Sequence, residues 1–267
     1  MPAMKDLREL VGGEVIDQQA AGYDEARRVW NGMIDRRPLA VVRAASIADV
    51  APVIGYVRQN GLALAVRGGG HNVAGNGTVD DGIVLDLGGL KGVAVDEGSA
   101  TVTVEPGVTL GDLDRATESA GLIVPSGVVS GTGLVGLTLG GGFGWLTRAY
   151  GLTIDSMLAA EVITAAGDHF RASETENSEL FWGLRGGGGN FGVVTSITYR
   201  AQRLGPQVYS GNLVYNRPNW RAALEGYARW TADLPDELTS IVTCIVPDPA
   251  WELGSEAVML IGFTWAG

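Results

Sequence analysis

The hydrophobic positions near the start of the chain follow strand-like and helical spacings in turn. A short apolar run at residues 40–43 precedes a stripe at helical spacing from Ile47 to Val57. Residues 62–66 are again apolar, as in a buried strand. This pattern predicts a strand–helix–strand unit, and its second strand leads directly into the glycine-rich sequence of residues 67–72.

Polar residues and glycines predict where two of the helices begin and end. Ser46, followed three positions later by Asp49, forms a capping-box pattern that opens the first long helix. Gly61 lies where a helix end favours a left-handed backbone. Thr109 and Gly121 predict the two ends of a second helix in the same way.

The remaining hydrophobic runs predict many short strands. Up to residue 205 these strands are expected at residues 83–87, 92–96, 100–105, 123–124, 159–165, 169–172 and 193–200. A short helix is expected near residues 178–184. Beyond residue 205 the pattern predicts a strand, a helix and two strands at residues 208–215, 219–234, 240–246 and 257–265.

Glycine becomes rarer near residue 205, which divides the chain into parts. We expect an N-terminal segment, residues 1–37, that is helical and loop-like and packs on the next part. Residues 38–205 are predicted to form one domain, and residues 206–267 belong to a second domain.

Composition and charge exclude several classes of protein. Glycine occurs 41 times in 267 residues, which is roughly twice its ordinary frequency. Because 30 acidic residues outnumber 19 basic ones, nucleic acids and anionic membrane surfaces are disfavoured as partners. No signal-peptide pattern or long apolar segment is evident, so we expect a cytoplasmic protein. The single cysteine, Cys244, excludes an intramolecular disulfide and is expected to be a buried thiol of a strand.

The glycines cluster in three loops, each of which follows a hydrophobic segment. These loops are residues 67–72, 126–144 and 185–192. Residues without a Cβ let the backbone N–H groups approach an anion closely. Arg67 and Arg185 lie at the openings of two loops, as expected where the anion is a phosphate or pyrophosphate.

One glycine pattern matches the dinucleotide fingerprint but lies in the wrong context. Gly131, Gly133 and Gly136 satisfy G-x-G-x-x-G. The Rossmann mechanism requires the last glycine to open a helix that packs on a sheet. Residues 137–142 contain three further glycines and are not expected to form a stable helical turn, so we reject NAD binding through this loop.

The two histidines have different expected roles. His71 ends a phosphate-type glycine loop, where an imidazole has no packing reason to be. Its natural roles there are contact with a cofactor or covalent attachment as a nucleophile. His169 lies in a predicted hairpin and is expected to be an exposed strand residue. With two histidines and one cysteine, a metal-centred enzyme is not expected, and a site made of carboxylates alone stays open.

Residues 38–205 resemble the PCMH-type FAD-binding domain of the vanillyl-alcohol-oxidase superfamily. Within that superfamily they are most similar to the berberine-bridge-enzyme-like oxidases. The matching stretches are residues 67–72 (RGGGHN), 133–146 (GLVGLTLGGGFGWL), 150–152 (YGL) with Asp155, and 180–195 (LFWGLRGGGGNFGVVT). Their order and spacing agree with the family, which makes the set far more specific than any single glycine string.

This resemblance implies an α+β fold and FAD as the cofactor. The expected architecture is a PCMH-type FAD-binding domain of two α/β subdomains, followed by the start of an antiparallel-sheet substrate domain. The first loop and the loop near residues 130–144 would hold the pyrophosphate, and backbone at Val193 and Val194 would meet the adenine. The implied cofactor-binding residues are Arg67, Gly68, Gly69, Gly70, His71, Asn72, Gly75, Ser130, Thr132, Gly133, Gly136, Leu137, Gly141, Gly142, Gly144, Val193 and Val194.

The resemblance further implies a covalent flavin. The family histidine that matches His71 is typically joined to the flavin 8α-methyl carbon. Many relatives add a bond from a cysteine to flavin C6, but the matching position here is Val129. Valine has no nucleophile, so the expected FAD carries at most one covalent bond.

The implied activity is an FAD-dependent oxidase reaction on an alcohol or amine carbon. Hydride would pass to flavin N5, and dioxygen would reoxidise the flavin to give hydrogen peroxide. Sugars, other secondary alcohols, aromatic amines and polyketide intermediates all fit the family as substrates. No catalytic base is identified in the sequence.

The chain is shorter than the family pattern, which leaves three interpretations open. The first is a covalent flavoprotein oxidase of which this sequence is a part. The second is a half-enzyme whose site is completed by a partner chain, with a homodimer also open. The third is a non-catalytic FAD-binding module.

Overall fold

The computed structural model describes residues 4–205 and 207–267, which fold into helices and several small sheets. The helices are α1 Met4–Leu10, α2 Tyr23–Ala26, α3 Val50–Gln59, α4 Leu110–Thr117, α5 Leu134–Leu139, α6 Thr147–Tyr150, α7 Ser178–Gly187 and α8 Trp220–Trp230. The strands are β1 Glu14–Asp17, β2 Ala40–Arg43, β3 Leu64–Arg67, β4 Ile83–Asp86, β5 Val93–Asp96, β6 Thr101–Val104, β7 Leu122–Ile123, β8 Met157–Ile163, β9 His169–Ser173, β10 Val193–Arg200, β11 Gln202–Arg203, β12 Tyr209–Tyr215, β13 Leu238–Ile245 and β14 Val258–Trp265. The expected α+β class is confirmed.

The first sheet has the strand order β1-β2-β4-β3, with β2, β4 and β3 parallel. Its side chains alternate between two covered faces. Val42 and Leu85 pack with the apolar stripe of α3, whereas Val41 and Val84 pack with Tyr23 on the other face. A sheet buried on both faces explains why these strands read as continuous apolar runs.

The N-terminal segment contributes a strand to this sheet. Strand β1 pairs antiparallel with β2, from Glu14 opposite Arg43 to Asp17 opposite Ala40. The expectation that residues 1–37 are only helical and loop-like is therefore wrong at residues 14–17. Four residues with two apolar positions carry too weak a local signal, and the strand forms because β2 offers a free edge. The domain boundaries at residues 38 and 205 stay predictions.

The predicted helix ends are confirmed by the hydrogen bonds at each cap. The hydroxyl of Ser46 accepts from the chain at the start of a 3₁₀ turn that leads into α3, and the Asp49 carboxylate completes the capping box. Thr109 caps α4 in the same arrangement. Gly61 and Gly121 have φ values of 61° and 60°, as a left-handed helix end requires.

The second sheet is antiparallel, with the order β5-β6-β10-β8-β9, and helices α4, α5 and α7 pack on it. Tyr199 of the central strand β10 is fully buried. Its hydroxyl forms a hydrogen bond with Thr138 Oγ1 at 2.8 Å. The Thr138 hydroxyl in turn donates to Leu134 O at 2.9 Å. Burial raises the pKa of Tyr199, which stays a neutral phenol. This chain of hydrogen bonds holds α5 on the sheet.

The two sheets share apolar contacts at one end. Ile163 and Val193, from adjacent strands of the second sheet, pack into the core cluster of the first sheet. Strand β3 leads into the first glycine loop, and α5 lies in the second. The junction therefore fixes the relative positions of the strands and helices that carry these loops.

The third unit is a sheet of order β12-β14-β13, with α8 beside it. Its strands agree with the predicted ones, although the last in sequence, β14, is the central one. Arg148 joins this unit to the preceding domain, donating to Leu234 O at 2.9 Å. Cys244 is exposed, so the expectation of a buried thiol is wrong. Its strand, β13, is an edge strand with one pairing neighbour.

None of the helices in the two described ranges has both the length and the apolar character needed to cross a membrane.

The Tyr199 hydroxyl is expected to stabilise the fold measurably. Tyr199→Phe removes its hydrogen bond and should lower the free energy of unfolding by about 1 kcal/mol. The loss of stability is expected to be no larger than this, because Thr138 keeps its bond to Leu134 O. Denaturant unfolding measures the change.

Tyr56→Phe is the matched control for that experiment. The Tyr56 hydroxyl is buried and has no hydrogen-bond partner among the residues that the structure describes. Removing it should leave stability unchanged or raise it, since an unpaired buried polar group is unfavourable. An equal loss in both variants would contradict the assignment of the stabilisation to the Tyr199–Thr138 bond.

Candidate cofactor-binding site

The first glycine loop begins at Arg67, whose side chain is 6% exposed. Its guanidinium donates to Asp86 Oδ2 at 2.7 Å, to Ala26 O at 2.6 Å and to Arg28 O at 3.0 Å. An internal carboxylate and two carbonyls thus accept from this guanidinium, and these bonds tie the N-terminal segment to the start of the loop. Arg67 also lines the same cavity as His71, and its contact with a bound phosphate stays a prediction.

Further hydrogen bonds join the N-terminal segment to the first loop and to the residues just after it. The backbone N–H of Trp30 donates to Gly70 O at 3.1 Å, and Asn31 Nδ2 donates to Val73 O at 2.8 Å. Arg36 donates to Gly75 O at 3.1 Å. The loop is thus held from outside by a segment that lies about 40 positions earlier in the chain.

Asn72 and Gly75 form the turn that follows His71. The carbonyl oxygen of Asn72 accepts from Gly75 N–H at 3.0 Å, and its Oδ1 accepts from Asn76 N–H at 3.0 Å. Gly75 has a φ of 79°, and a Cβ there would lie 2.9 Å from the side chain of Ile34. Both residues therefore shape the loop in this structure.

The first and second glycine loops touch backbone to backbone. A Cβ on Gly69 would lie 2.4 Å from the Gly133 nitrogen, and a Cβ on Gly133 would lie 2.6 Å from the Gly69 nitrogen. Gly68 is similarly close to Pro106 O, at 2.7 Å from a Cβ built on it. No residue with a side chain fits at this contact without displacing backbone.

The second loop is fixed to the start of α4. Ser130 O accepts from Gly111 N–H at 2.9 Å, and Thr132 O accepts from Leu110 N–H at 3.0 Å. Within this loop the chain forms α5, whose first residue follows Gly133. The expectation that no helical turn forms here is wrong. The six residues of α5 gain stability from burial on the second sheet, which outweighs the poor helix propensity of glycine.

The end of the second loop is closely packed around Leu137. The Leu137 side chain would be 2.3 Å from a Cβ on Gly142, and Gly144 has Ser126 O where its Cβ would be. Gly141 and Gly142 have φ values of 109° and 74°. Gly136, in contrast, faces open space on α5, where a Cβ would meet nothing within 4 Å.

The third glycine loop is packed at its start around an aromatic ring. Gly183 and Gly187 pack on the ring of Phe191, which would lie 2.7 Å and 2.5 Å from a Cβ on each. Arg185 reaches Asp155 at 3.4 Å and lies over the Phe181 ring. Two glycines here thus accommodate an aromatic ring, and an anion site at this loop stays a prediction.

Val193 and Val194 are buried strand residues that follow the third loop. They pair with Ile163 and Val162 of β8, and their side chains enter the cores of the two sheets. A contact between their backbone and an adenine stays a prediction.

His71 lies where the first two loops meet. Its imidazole stacks on the indole of Trp30, with ring centroids 5.0 Å apart and planes inclined by 20°. A Cβ on Gly131 would be 3.9 Å from His71 Nε2, which places the second loop beside the ring. Trp30 and His71 also line a cavity of about 400 Å³ with Gly68, Gly69 and Gly70. His169 is exposed beside Glu161, as expected.

The loops present features that fit FAD. The structure records no hydrogen bond from the backbone N–H groups of Gly68, Gly69 and Gly70 to any described residue, so these donors are free for an anion such as pyrophosphate. Two apolar residues of the second loop, Val129 and Phe143, are 53% and 71% exposed. An anionic group joined to a large flat ring would use both the donors and the apolar surface. Within the described ranges, no cluster of three metal-ligating side chains occurs.

Trp30, Asn31 and Arg36 are site residues that the sequence reasoning missed. They act on a loop about 40 positions later, and their own segment has no glycine motif. A tryptophan in a segment with weak secondary-structure signal is a sequence cue that could have identified Trp30.

Comparison with known proteins identifies an FAD-binding domain in this chain. A family model described as "FAD binding domain" matches residues 38–173. The (R)-6-hydroxynicotine oxidase of Paenarthrobacter nicotinovorans is 36% identical over 237 residues, which are 89% of this chain and 51% of that protein.

Two solved structures extend the comparison to the fold. Physcomitrella patens BBE-like 1 superposes with a TM-score of 0.89 at 26% identity, covering 99% of this chain and 56% of the other. Glucooligosaccharide oxidase from Acremonium strictum, described with a 6-S-cysteinyl, 8α-N1-histidyl FAD, gives 0.85 at 27% identity, covering 100% and 55%. The chain spans about half the length of these relatives.

Gly69→Ala should disturb both the fold and cofactor binding. Because the new Cβ would meet the Gly133 backbone, the loops must separate, which should cost about 1–3 kcal/mol of stability and weaken FAD binding. Thermal unfolding and FAD titration measure the two effects. Gly89→Ala is the control, since a Cβ there meets nothing within 4 Å. Equal FAD affinity in both variants would show that the loop contact is not needed for binding.

Proposed function

The chain belongs to the family of FAD-linked oxidoreductases that carry this FAD-binding domain, and on that premise we propose that it is an oxidase with a flavin attached to His71. The observation that carries the proposal is the meeting of two glycine loops at His71. Free backbone donors and a nucleophilic side chain come together there, where the loops leave no room for other side chains.

The residues proposed to hold FAD are those of the first two loops. The N–H groups of Gly68, Gly69 and Gly70 are suited to the pyrophosphate, because fixed backbone dipoles stabilise its negative charge. Val129 and Phe143 offer apolar surface to the flavin ring. Arg67 supports the first loop from behind through its bond to Asp86.

FAD, when bound, supplies the redox chemistry by taking up a hydride equivalent from the substrate carbon and passing two electrons to dioxygen. The protein's own contribution is to fix the cofactor and to hold its ring against an apolar surface. We assign no catalytic base to a described residue.

The tether is proposed to be a single bond. Glucooligosaccharide oxidase, as described, carries both a cysteinyl and a histidyl bond to FAD. In this chain His71 supplies the imidazole, whereas Val129, at the position inferred for the cysteine, has no nucleophile. Cys244 belongs to the third unit, on its edge strand β13.

The proposed substrate carries a C–H bond next to a hydroxyl or an amine. Two relatives support this class, since one is named for a hydroxynicotine and the other for a glucooligosaccharide. The alternative of a non-catalytic FAD-binding module has less support, because these relatives are named as oxidases.

Acid precipitation tests the tether directly. The native protein should keep its yellow flavin in the denatured pellet, since a covalent bond survives unfolding. His71→Ala should release the flavin to the supernatant, whereas His169→Ala should behave like the native protein because that imidazole is exposed and distant in sequence. Flavin fluorescence in the two fractions is the measurement.

Two results would contradict parts of this proposal. Free flavin from the native protein would refute the covalent bond but not FAD binding. Pellet-bound flavin in His71→Ala would place the bond on another residue.

The oxidase activity has its own test. Turnover of an alcohol or amine from a substrate panel should consume one dioxygen and form one hydrogen peroxide for each molecule oxidised. An oxygen electrode and a peroxide assay measure the two amounts. Substrate oxidation that needs another acceptor, with no peroxide, would exclude the oxidase assignment.

A further inference from the structure

We propose that Trp30 is a positioning residue that holds the His71 imidazole in the orientation needed for flavin attachment. This inference rests on the proposed function, since it concerns the bond between His71 and FAD. It starts from the stacked pair of rings, whose centroids are 5.0 Å apart and whose planes are inclined by 20°.

The stack is the main constraint on the His71 ring. In residues 4–205 and 207–267, neither imidazole nitrogen has a hydrogen-bond or ion-pair partner. On the second loop, Gly131 adds no side chain beside the ring. Without the indole, the imidazole could rotate about its two side-chain bonds. Contact with the indole face limits that rotation, because turning the ring breaks the stack.

Trp30 is itself held in place through its backbone. Its N–H donates to Gly70 O at 3.1 Å, directly before His71, and the carbonyl of nearby Arg28 accepts from Arg67 at 3.0 Å. Its side chain, however, is 63% exposed. A large aromatic ring that buries so little of its surface contributes little to the core, and at the wall of this cavity its recorded ring contact is the one with His71.

The stacked geometry is compatible with attack by the imidazole. The lone pair of an imidazole nitrogen lies in the plane of the ring, so an indole over the ring face leaves the reacting edge free. Trp30 therefore restricts the orientation of His71 without covering its nucleophilic atoms.

The attachment reaction balances with dioxygen as the oxidant. One imidazole N–H bond and one C–H bond of the flavin 8α-methyl group break, and one N–C bond forms. The two protons and two electrons released reduce one dioxygen to one hydrogen peroxide, and the flavin ends in its oxidised form. The rate of N–C bond formation depends on how often the nitrogen is aligned with the carbon, and misalignment can cost about a hundredfold.

The experiment follows attachment over time in the full chain. Protein purified without flavin is mixed with FAD in air, and samples are precipitated with acid to separate attached from free flavin. We expect Trp30→Leu to bind FAD but to attach it at least about tenfold more slowly, since leucine fills space without a stacking face. Trp30→Phe should restore most of the rate. Trp251→Leu, on another exposed tryptophan, should match the native protein.

A second measurement detects the stack without any cofactor. In the flavin-free chain, the indole ring current should shift the His71 ring protons upfield in NMR spectra, relative to those of His169. Trp30→Leu should remove this shift, and Trp30→Phe should keep part of it. A native spectrum with no such shift would overturn the proposal, even where a variant folds poorly.

The outcomes separate this inference from the proposed function. Equal attachment rates in Trp30→Leu and the native protein would overturn the positioning role and leave the tether intact. A native protein that attaches no flavin would overturn both. If flavin attaches slowly in Trp30→Leu and just as slowly in Trp30→Phe, positioning by an aromatic face is also contradicted.

Discussion

The close approach of Gly69 and Gly133 is the constraint on which the site depends. Two loops from different sheets can meet only where neither carries a Cβ, and the contact brings His71 beside Gly131. The adjacent elements are arranged around it: α4 binds the second loop through Ser130 O and Thr132 O. Glycine is thus needed at this point for close approach, whereas at Gly142 it also supplies a left-handed backbone.

The N-terminal segment acts as the outer half of the same site. The Arg67 guanidinium bonds to Asp86 and to the carbonyls of residues 26 and 28. The buried Arg67 is paired with Asp86, and its bonds to the two carbonyls join this segment to the first loop. Since β1 pairs with β2 as well, the segment is joined to the first sheet at two places, and these place Trp30 against His71.

Local signals predicted much of the fold, and non-local contacts account for the rest. The caps at Ser46 and Thr109 act within three residues, so the sequence alone is sufficient to identify them. The exposure of Cys244 depends on which elements cover its strand in the folded chain, and no local pattern specifies that. The glycine clusters identified two loops of the site, but whether a glycine run binds an anion or accommodates Phe191 depends on packing by distant residues.

The strand order of the third unit has a consequence for folding during synthesis. Strands β12 and β13 each pair with β14 and not with one another. A ribosome therefore releases both outer strands before their common partner exists, and α8, between them in sequence, emerges while its sheet is incomplete. Such non-local pairing is slow and leaves apolar residues exposed meanwhile. The FAD-binding domain, which precedes this sheet in the chain, offers Arg148 and Trp145 as a surface on which the late sheet can assemble.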